Sequence, residues 1–346
     1  MTLVRTVIVD DSAFVRKVVR EMLSTSPHIE VVGMARNGED ALQMVEALNP
    51  DVVTCDLIMP EMDGADFVRK QMARKPVPIL ILSASPQDGE RVLEALEAGA
   101  IDFIQKPTAL ASESLLVIRE ELVEKVKAAA QAPARLLPVR KVDKTPRIRS
   151  EPSPAATNVD IVVLGISTGG PQALRYLIPQ FAPDFPVPLV MVLHMPVGYT
   201  ALFAEKLAEI SQLRVIEAFE GCVVQANQAL LAPAGRHLSF KRNPAGEVVV
   251  RLSNQPTDKP HRPSVDVLFQ SAAEVYRSRV LGVVMTGMGD DGKQGAAWIK
   301  AQGGIVLTES EESCIIYGMP RSVVESGLSD GAVPLASMAK EINKRL

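Results

Sequence analysis

Cysteine is scarce in this sequence, and the three cysteines form no pattern. Cys55, Cys222 and Cys314 lie far apart, and no two of them make a C-x-x-C pair. A disulfide framework and a zinc site built on paired cysteines are therefore excluded, and free thiols suit a reducing compartment. Long apolar runs are also missing, because stretches such as 187–193 fall far short of the roughly 20 residues that span a bilayer. No signal-peptide pattern opens the chain, so we expect a cytoplasmic protein without membrane insertion.

The sequence also lacks an excess of positive charge and is poor in aromatic residues. Lysine and arginine number 37 against 41 acidic residues, and aromatic residues make up 4% of the chain. Domains that bind nucleic acid usually have a basic surface, so this balance argues against that class of protein. Residues 128–157 are an exception, with five prolines and six basic residues against two acidic ones. We predict a semi-extended linker here. A nucleic-acid-binding tail is the alternative, but the segment has no aromatic residue to stack on bases.

This linker separates two domains in which apolar segments alternate with amphipathic ones. In the first domain, residues 1–127, the pattern predicts five β-α units. Continuous apolar strands between helices indicate a parallel sheet that helices cover on both faces. The predicted strands are 6–9, 29–34, 52–55, 77–82 and 101–104, and the predicted helices are 13–23, 39–48, 65–72, 89–97 and 114–126.

The second domain, residues 158–346, is also predicted to be α/β, doubly wound around a predominantly parallel sheet. A β-hairpin is predicted from strands at 237–241 and 247–252 around the turn residues 243–246. Ser264 is predicted to cap the helix that runs to Tyr276. The other predicted strands are 159–165, 188–193, 280–285 and 305–307, and the other predicted helices are 172–178, 200–210 and 292–301.

Acidic residues collect at strand ends in the first domain. Asp10 and Asp11 follow the first strand, Asp56 ends the third, Ser83 ends the fourth and Lys106 follows the fifth. The carboxyl ends of parallel strands meet at one edge of the sheet, where ligands bind. Clustered carboxylates repel one another unless a cation joins them, and oxygen ligands of this kind suit Mg²⁺ and phosphate chemistry. The alternative is that Asp10 and Asp11 only cap the following helix.

These residues closely resemble the receiver domains of two-component signalling. The resemblance implies a flavodoxin-like fold in which Asp56 is phosphorylated by a histidine kinase and Asp10, Asp11 and Asp56 bind Mg²⁺. Three further positions match the family's switch residues, and they are Ser83, Phe103 and Lys106. Added phosphoryl charge would then bias the domain between two packings.

In the second domain, the sequence Gly165-Ile166-Ser167-Thr168-Gly169 fits G-x-S-x-G between a strand and a helix. A sharp turn there exposes the serine hydroxyl, and the helix N-terminus directs N–H groups toward a developing oxyanion. A nucleophilic serine needs a base, and His194 ends the next strand, with His237 and His261 as rivals. An acid must orient that base, and Asp290 and Asp291 follow the strand 280–285. A phosphate-binding turn at Ser167 remains the alternative.

A second motif competes with this interpretation. Residues 287–292 fit G-x-G-x-x-G between a strand and a helix, and Glu309 ends the next strand. This is the dinucleotide-binding fingerprint. The negative charge of Asp291 at the position of the pyrophosphate argues against it.

The second domain resembles the catalytic domain of protein-glutamate methylesterases, the CheB family of chemotaxis. The runs 165–171, 194–196, 261–266 and 286–292 carry the resemblance. It implies that Ser167 is the nucleophile, His194 the base and Asp291 the orienting acid, and that no cofactor is needed. Thr168 and the N–H of Met288 would lie on the oxyanion side, and His261 and Arg262 would line the substrate cleft. The implied substrates are methyl esters and certain glutamines of chemotaxis receptors, and the receiver would cover the cleft until Asp56 is phosphorylated. Non-catalytic interaction and DNA-binding regulation are the remaining alternatives.

Overall fold

A computed structural model describes residues 3–83, 85–106, 112–132 and 159–346. The chain forms two compact units, Met1–Leu137 and Pro138–Leu346. Most of the predicted linker lies outside the described residues. Its first two residues, 128 and 129, belong instead to the last helix of the first unit, which ends at Ala129. Among the described residues, no helix is both long and apolar enough to span a bilayer.

The first unit contains a five-stranded sheet with the strand order β2-β1-β3-β4-β5, and each pair of neighbouring strands is parallel. The chain leaves β1 toward β2 on one side and continues through β3 on the other, so the order reverses between β1 and β3. A ligand site is expected at the carboxyl ends of these two strands. The elements are β1 (Val4–Val9), α1 (Ala13–Leu23), β2 (Ile29–Ala35), α2 (Gly38–Leu48), β3 (Val52–Asp56), α3 (Gly64–Arg74), β4 (Ile79–Ser83), α4 (Gly89–Ala98), β5 (Asp102–Gln105) and α5 (Ser112–Ala129).

The second unit contains a seven-stranded sheet with the order β14-β13-β12-β6-β7-β9-β8 and a separate hairpin, β10-β11. The seven strands pair in parallel, and the hairpin is antiparallel. Its elements are β6 (Ile161–Ile166), α6 (Gly170–Leu177), β7 (Leu189–Leu193), α7 (Thr200–Ile210), β8 (Arg214–Glu217), β9 (Gln228–Leu231), β10 (His237–Arg242), β11 (Val248–Ser253), α8 (Val265–Tyr276), β12 (Val280–Val284), α9 (Lys293–Ala301), β13 (Ile305–Glu309), α10 (Met319–Glu325), β14 (Gly331–Val333) and α11 (Leu335–Lys344).

The α/β architecture of both units, the parallel sheets and the hairpin are confirmed. The sequence patterns did not predict β8, β9, β14, α10 and α11. The three strands have only four, four and three residues, too few for an alternating or apolar pattern to stand out. In the sheet, β6 lies between β12 and β7, and the chain order reverses there. The crevice at the carboxyl ends of β6 and β12 is thus where a ligand is expected.

Candidate functional site

The structure brings the three predicted carboxylates of the first unit together. Asp10, Asp11 and Asp56 each offer an oxygen, and these atoms lie within 4.8 Å of one another. Asp10 and Asp56 are buried, whereas Asp11 is exposed. The hydroxyl of Ser12 caps α1 by accepting the N–H of Val15. Side-chain capping of α1 therefore does not account for the two aspartates.

Lys106 joins two of these carboxylates. Its Nζ lies 2.6 Å from Asp10 Oδ2 and 2.8 Å from Asp56 Oδ1. Burial would lower the pKa of Lys106, but its hydrogen bonds to the two carboxylates outweigh burial and raise it. Burial raises the pKa of Asp56, and Lys106 offsets only part of that effect. One ammonium group thus serves two carboxylates, which leaves negative charge that a divalent cation could balance.

The predicted switch residues lie on the two neighbouring strands. Leu82 of β4 is opposite Asp56 of β3, so Ser83 follows at the same edge of the sheet. The buried hydroxyl of Ser83 donates to the carbonyl of Ser85 at 3.3 Å. Phe103 of β5 is buried, with 2% of its surface exposed. Sequence reasoning missed Lys125, which donates to the Phe103 carbonyl at 3.0 Å and ties α5 to β5.

In the second unit, Ser167 follows β6 in a tight turn. Gly169 has φ +78°, a conformation that favours glycine, and Gly170 donates its N–H to the Ser167 carbonyl at 2.7 Å. Ser167 donates its own N–H to the carbonyl of Thr286 at 3.0 Å. A Cβ on Gly287 would lie only 2.8 Å from Ser167 Cβ. The loop after β12 thus packs directly against the serine, and a glycine makes this approach possible.

His194 and Asp291 form a hydrogen-bonded pair at the same edge of the sheet. His194 Nε2 lies 2.8 Å from Asp291 Oδ2, and the backbone N–H of His194 donates to the carbonyl of Ile166, next to Ser167. The other ring nitrogen, Nδ1, is buried and has no hydrogen-bond partner among the described residues. The structure pairs His194 with Asp291, whereas Asp290 is exposed and its carbonyl accepts the N–H of Lys293.

Asp291 is held as a carboxylate by several donors. Burial alone would raise its pKa, but the hydrogen bond from His194 and the N–H groups at the start of α8 bring the pKa well below its usual range. Oδ2 also accepts the N–H of Val265 at 2.8 Å, and Oδ1 accepts the N–H of Asp266 at 2.9 Å. This corrects one prediction: Ser264 is the N-cap residue of α8, but its side chain makes no capping bond and donates to Asp291 Oδ1 instead.

The two rival histidines differ in their surroundings. His237 is buried, with Nε2 at 2.9 Å from the Pro256 carbonyl and Nδ1 accepting the N–H of Ser264. Its two nitrogens are therefore occupied. The exposed ring of His261 stacks on His194, with centroids 4.1 Å apart, so His261 lies at the site. The backbone carbonyl of Arg262 accepts the N–H of Gly235, in the loop between β9 and β10, and its buried Nε has no partner within the described part of the chain.

The two predicted oxyanion residues are chain neighbours of groups at the serine turn, since Thr168 follows Ser167 and Met288 follows Gly287. Thr168 is buried, and its carbonyl accepts the hydroxyl of Thr286 at 3.0 Å. Met288 follows Gly287 in the loop that packs against Ser167 and is partly exposed. Thr286 thus links the serine turn to the loop that carries Met288.

The geometry argues against a dinucleotide site at the glycine-rich loop. The N-terminus of α9 is occupied by Asp266, whose Oδ1 accepts the N–H groups of Gly292 at 2.9 Å and Gly295 at 2.8 Å. A pyrophosphate would need those donors. Glu309 is fully buried and accepts the N–H of Thr286, so it is not placed to bind a ribose. Burial raises the pKa of Glu309 to about 7.

Comparisons with known proteins agree with this geometry. The profile of the family described as CheB methylesterase matches residues 162–342. A protein of Myxococcus xanthus named protein-glutamate methylesterase/protein-glutamine glutaminase 5 is 46% identical over 97% of this chain and 96% of its own length. The chain belongs to the CheB methylesterase family. A Pyrococcus horikoshii protein named protein-glutamate methylesterase/protein-glutamine glutaminase is 40% identical over 99% of this chain and 93% of its own.

Within this CheB family member, residues 6–116 match the family described as response regulator receiver domain. The crystal structure of the Thermotoga maritima CheB methylesterase catalytic domain is 39% identical and superimposes with a TM-score of 0.53. It covers 54% of this chain and 99% of that domain. The predicted resemblance to receiver-linked methylesterases is thus confirmed.

Proposed function

We propose that this protein is a phosphorylation-activated hydrolase that removes methyl esters from glutamate side chains of chemotaxis receptors and also deamidates receptor glutamines. The observation that carries the proposal is the 2.8 Å hydrogen bond between His194 and Asp291 at the edge of the sheet where Ser167 follows β6. The names of the relatives, protein-glutamate methylesterase/protein-glutamine glutaminase, support the same substrate class.

The proposed reaction uses Ser167 as a nucleophile. His194 Nδ1, the ring nitrogen without a partner, takes the proton of the Ser167 hydroxyl as Oγ attacks the γ-carbonyl of the methyl ester. The histidine then gives this proton to the departing methoxide, and methanol leaves. Water, deprotonated by the same nitrogen, hydrolyses the acyl-enzyme and restores glutamate and Ser167. With a glutamine substrate, the first leaving group is ammonia.

Asp291 and the loops next to Ser167 are proposed to stabilise the charges that develop during this reaction. The Asp291 carboxylate stabilises the imidazolium that forms on His194 and fixes the ring, because it accepts a hydrogen bond from Nε2–H. The N–H of Met288, together with Thr168, is proposed to stabilise the tetrahedral oxyanion. His261 and Arg262 are proposed to contact the receptor segment around the ester.

The test of this catalytic assignment is methanol release from membranes carrying a receptor with tritiated methyl esters. Ser167→Ala is expected to abolish release, because it removes the Oγ that forms the acyl-enzyme. Ser326→Ala is the control, since this exposed hydroxyl only donates to Ser322 in α10. Equal release by the parent and Ser167→Ala would refute the proposal.

The first unit is proposed to receive a phosphoryl group on Asp56 from a histidine kinase. Asp10, Asp11 and Asp56 fit Mg²⁺, because their oxygens lie within 4.8 Å of one another and the ion prefers carboxylate ligands. When bound, the ion neutralises phosphoryl charge. Lys106, now paired with Asp56 at 2.8 Å, would pair with the phosphoryl oxygens, and the Ser83 hydroxyl would hydrogen-bond to them. Phe103, buried on the neighbouring strand, would change its packing in response.

The receiver is also proposed to regulate the catalytic cleft of the second unit. Residues 130–157, which follow the end of α5, act as the linker, and the receiver inhibits the catalytic cleft until Asp56 is phosphorylated. Incorporation of label from radioactive acetyl phosphate should need Mg²⁺ and should disappear in Asp56→Asn. Label retained in Asp56→Asn would refute the assignment of the phosphoacceptor. A cytoplasmic location is part of the proposal, and the three free, buried cysteines support it.

A further inference from the structure

In the second unit, an aspartate at the start of each of two helices accepts hydrogen bonds from backbone N–H groups at the start of the other helix. Asp291, which precedes α9, accepts the N–H groups of Val265 and Asp266 at the start of α8. Asp266, in the first turn of α8, accepts the N–H groups of Gly292 and Gly295 at the start of α9. Two N–H groups at the start of each helix are therefore satisfied by a carboxylate from the start of the other.

Hydrogen bonds with Asp266 hold Asp291 and the next residue, Gly292, at two points. The backbone N–H of Asp266 donates to Asp291 Oδ1 at 2.9 Å, while Asp266 Oδ1 accepts the N–H of Gly292, the next residue, at 2.9 Å. Asp291 cannot rotate or shift without breaking one of these bonds. Asp291 Oδ2 also contacts His194 Nε2. This set of hydrogen bonds therefore extends to the catalytic histidine of the proposed mechanism.

Asp266 is itself held firmly. Its side chain is 11% exposed, and Oδ2 lies 3.0 Å from Lys259 Nζ. The same ammonium group donates to Gln294 of α9 at 3.0 Å. The helices also approach closely here, since a Cβ on Gly295 would lie 3.0 Å from Asp266 Cα. Lys259 thus binds both helices at the point where Asp266 joins them.

We propose that Asp266 is a positioning residue for the esterase reaction. It touches no reacting atom. Its carboxylate holds the N–H of Gly292, the residue after Asp291, and through Asp291 it fixes the ring of His194. This inference rests on the proposed function, since it assigns a role within the Ser167, His194 and Asp291 arrangement. A residue that only capped α9 would contribute to stability and leave the turnover rate unchanged.

The experiment compares full-length Asp266→Ala and Asp266→Asn with a matched control, Asp330→Ala. Asp330 also accepts a backbone N–H, that of Val306, and pairs with a lysine, Lys300, but it lies next to β14, away from His194. Two quantities are measured well below the unfolding temperature. The first is kcat and KM for methanol release from receptor membranes. The second is the NMR signal of the His194 Nε2 proton in protein labelled with ¹⁵N-histidine.

Asp266→Ala is expected to lower kcat by about 10- to 100-fold with little change in KM, because misplacing a catalytic group by about 1 Å has effects of that size. The His194 Nε2 proton should broaden or shift upfield. Asp266→Asn should keep most of kcat, because its amide oxygen can accept the same two N–H groups. Asp330→Ala should keep the parental kcat and the parental signal.

A parental kcat and an unchanged Nε2 signal in Asp266→Ala would overturn the positioning role. If Asp266→Ala does not fold, Asp266→Ser replaces it under the same criteria, because its hydroxyl can satisfy one N–H but is too short to hold both. Failure of the proposed function is distinguished by Ser167→Ala, which would then release as much methanol as the parent. The NMR signal alone would then decide whether Asp266 positions His194.

Discussion

At the scale of single residues, the second unit separates two neighbouring aspartates by their surroundings. Asp291 is half-buried, with hydrogen bonds to the start of α8 and to His194, whereas Asp290 is exposed. The sequence could place both at the sheet edge, because both follow an apolar strand. It could not choose between them on physical grounds, because the choice depends on N–H groups of α8 that lie 25 and 26 residues away.

Asp291→Asn is therefore expected to lower kcat for methanol release by roughly 10²- to 10⁴-fold, because an amide cannot stabilise the imidazolium and can favour the wrong tautomer. The measurement is kcat with receptor membranes as substrate, and Asp290→Asn is the matched control with the parental rate. The pKa of Asp291 lies well below its usual range, so the carboxylate stays ionised from neutral pH down to mildly acidic pH. Protonation of Asp291 should therefore not alter the rate of methanol release between neutral and mildly acidic pH. Equal rates for the two variants would contradict the assignment.

Glu309 gives a prediction about stability and pH. Burial raises its pKa to about 7 in the folded protein, above the value of an exposed glutamate. The folded state therefore keeps its proton at pH values where the unfolded chain has lost it. Stability linked to Glu309 is fully present below the unfolded pKa and falls as pH rises toward about 7.

Glu309→Gln should remove this pH dependence and make the second unit more stable than the parent at pH 8. The amide oxygen can still accept the N–H of Thr286. Urea unfolding is followed by fluorescence of Trp298, the single tryptophan of the chain, which lies on α9. The exposed Glu311→Gln serves as the control and should keep the parental pH profile. The same fall in stability between pH 5 and pH 8 in Glu309→Gln would contradict the argument.

At the scale of helices and strands, the sites depend on how closely elements approach. The patterns predicted α8 and α9 from apolar spacing, and both helices are present. They did not reveal that the two N-termini exchange aspartates. An acidic residue such as Asp266 in a first helical turn is common, so its sequence signal is that of an ordinary helix start. Only the packing of the helices shows that its partners belong to the other helix.

Gly295→Ala tests this close approach. The new Cβ would lie 2.5 Å from Phe269 Cβ and 3.0 Å from Asp266 Cα, so the helices must separate. We expect a loss of about 1–3 kcal/mol in the free energy of unfolding, measured by urea titration with Trp298 fluorescence. Gly331→Ala is the control, because its nearest neighbour would be Leu307 Cδ2 at 3.6 Å. An unchanged urea midpoint in Gly295→Ala would show that the helices tolerate separation.

In the first unit, the positions of site residues on strands and helices determine which of them the sequence could predict. Asp10, Asp56 and Lys106 each lie at the end of an apolar strand, and a parallel sheet brings such ends together. Lys125 lies within α5, where its spacing is that of an ordinary exposed helical lysine. Its contacts with Asp102 and the Phe103 carbonyl follow from how α5 packs on the sheet, which the sequence pattern does not encode.

At the scale of the whole molecule, the chain joins two sheets, each with a candidate site at the point where its strand order reverses. The acidic cluster of the first unit suits phosphoryl chemistry, and the Ser167, His194 and Asp291 arrangement of the second suits ester hydrolysis. We propose that one site controls the other, and we expect phosphorylation of Asp56 to change the rate of turnover at Ser167.

The most direct test is the rate of methanol release from methylated receptor membranes, with and without acetyl phosphate and Mg²⁺. We expect the phosphodonor to stimulate the parent, to leave Asp56→Asn at its basal rate, and to have no effect on Ser167→Ala, which releases nothing. Stimulation that persists in Asp56→Asn, or a parent that responds to no phosphodonor while Asp56 is labelled, would contradict the claim that phosphorylation of the receiver activates the esterase.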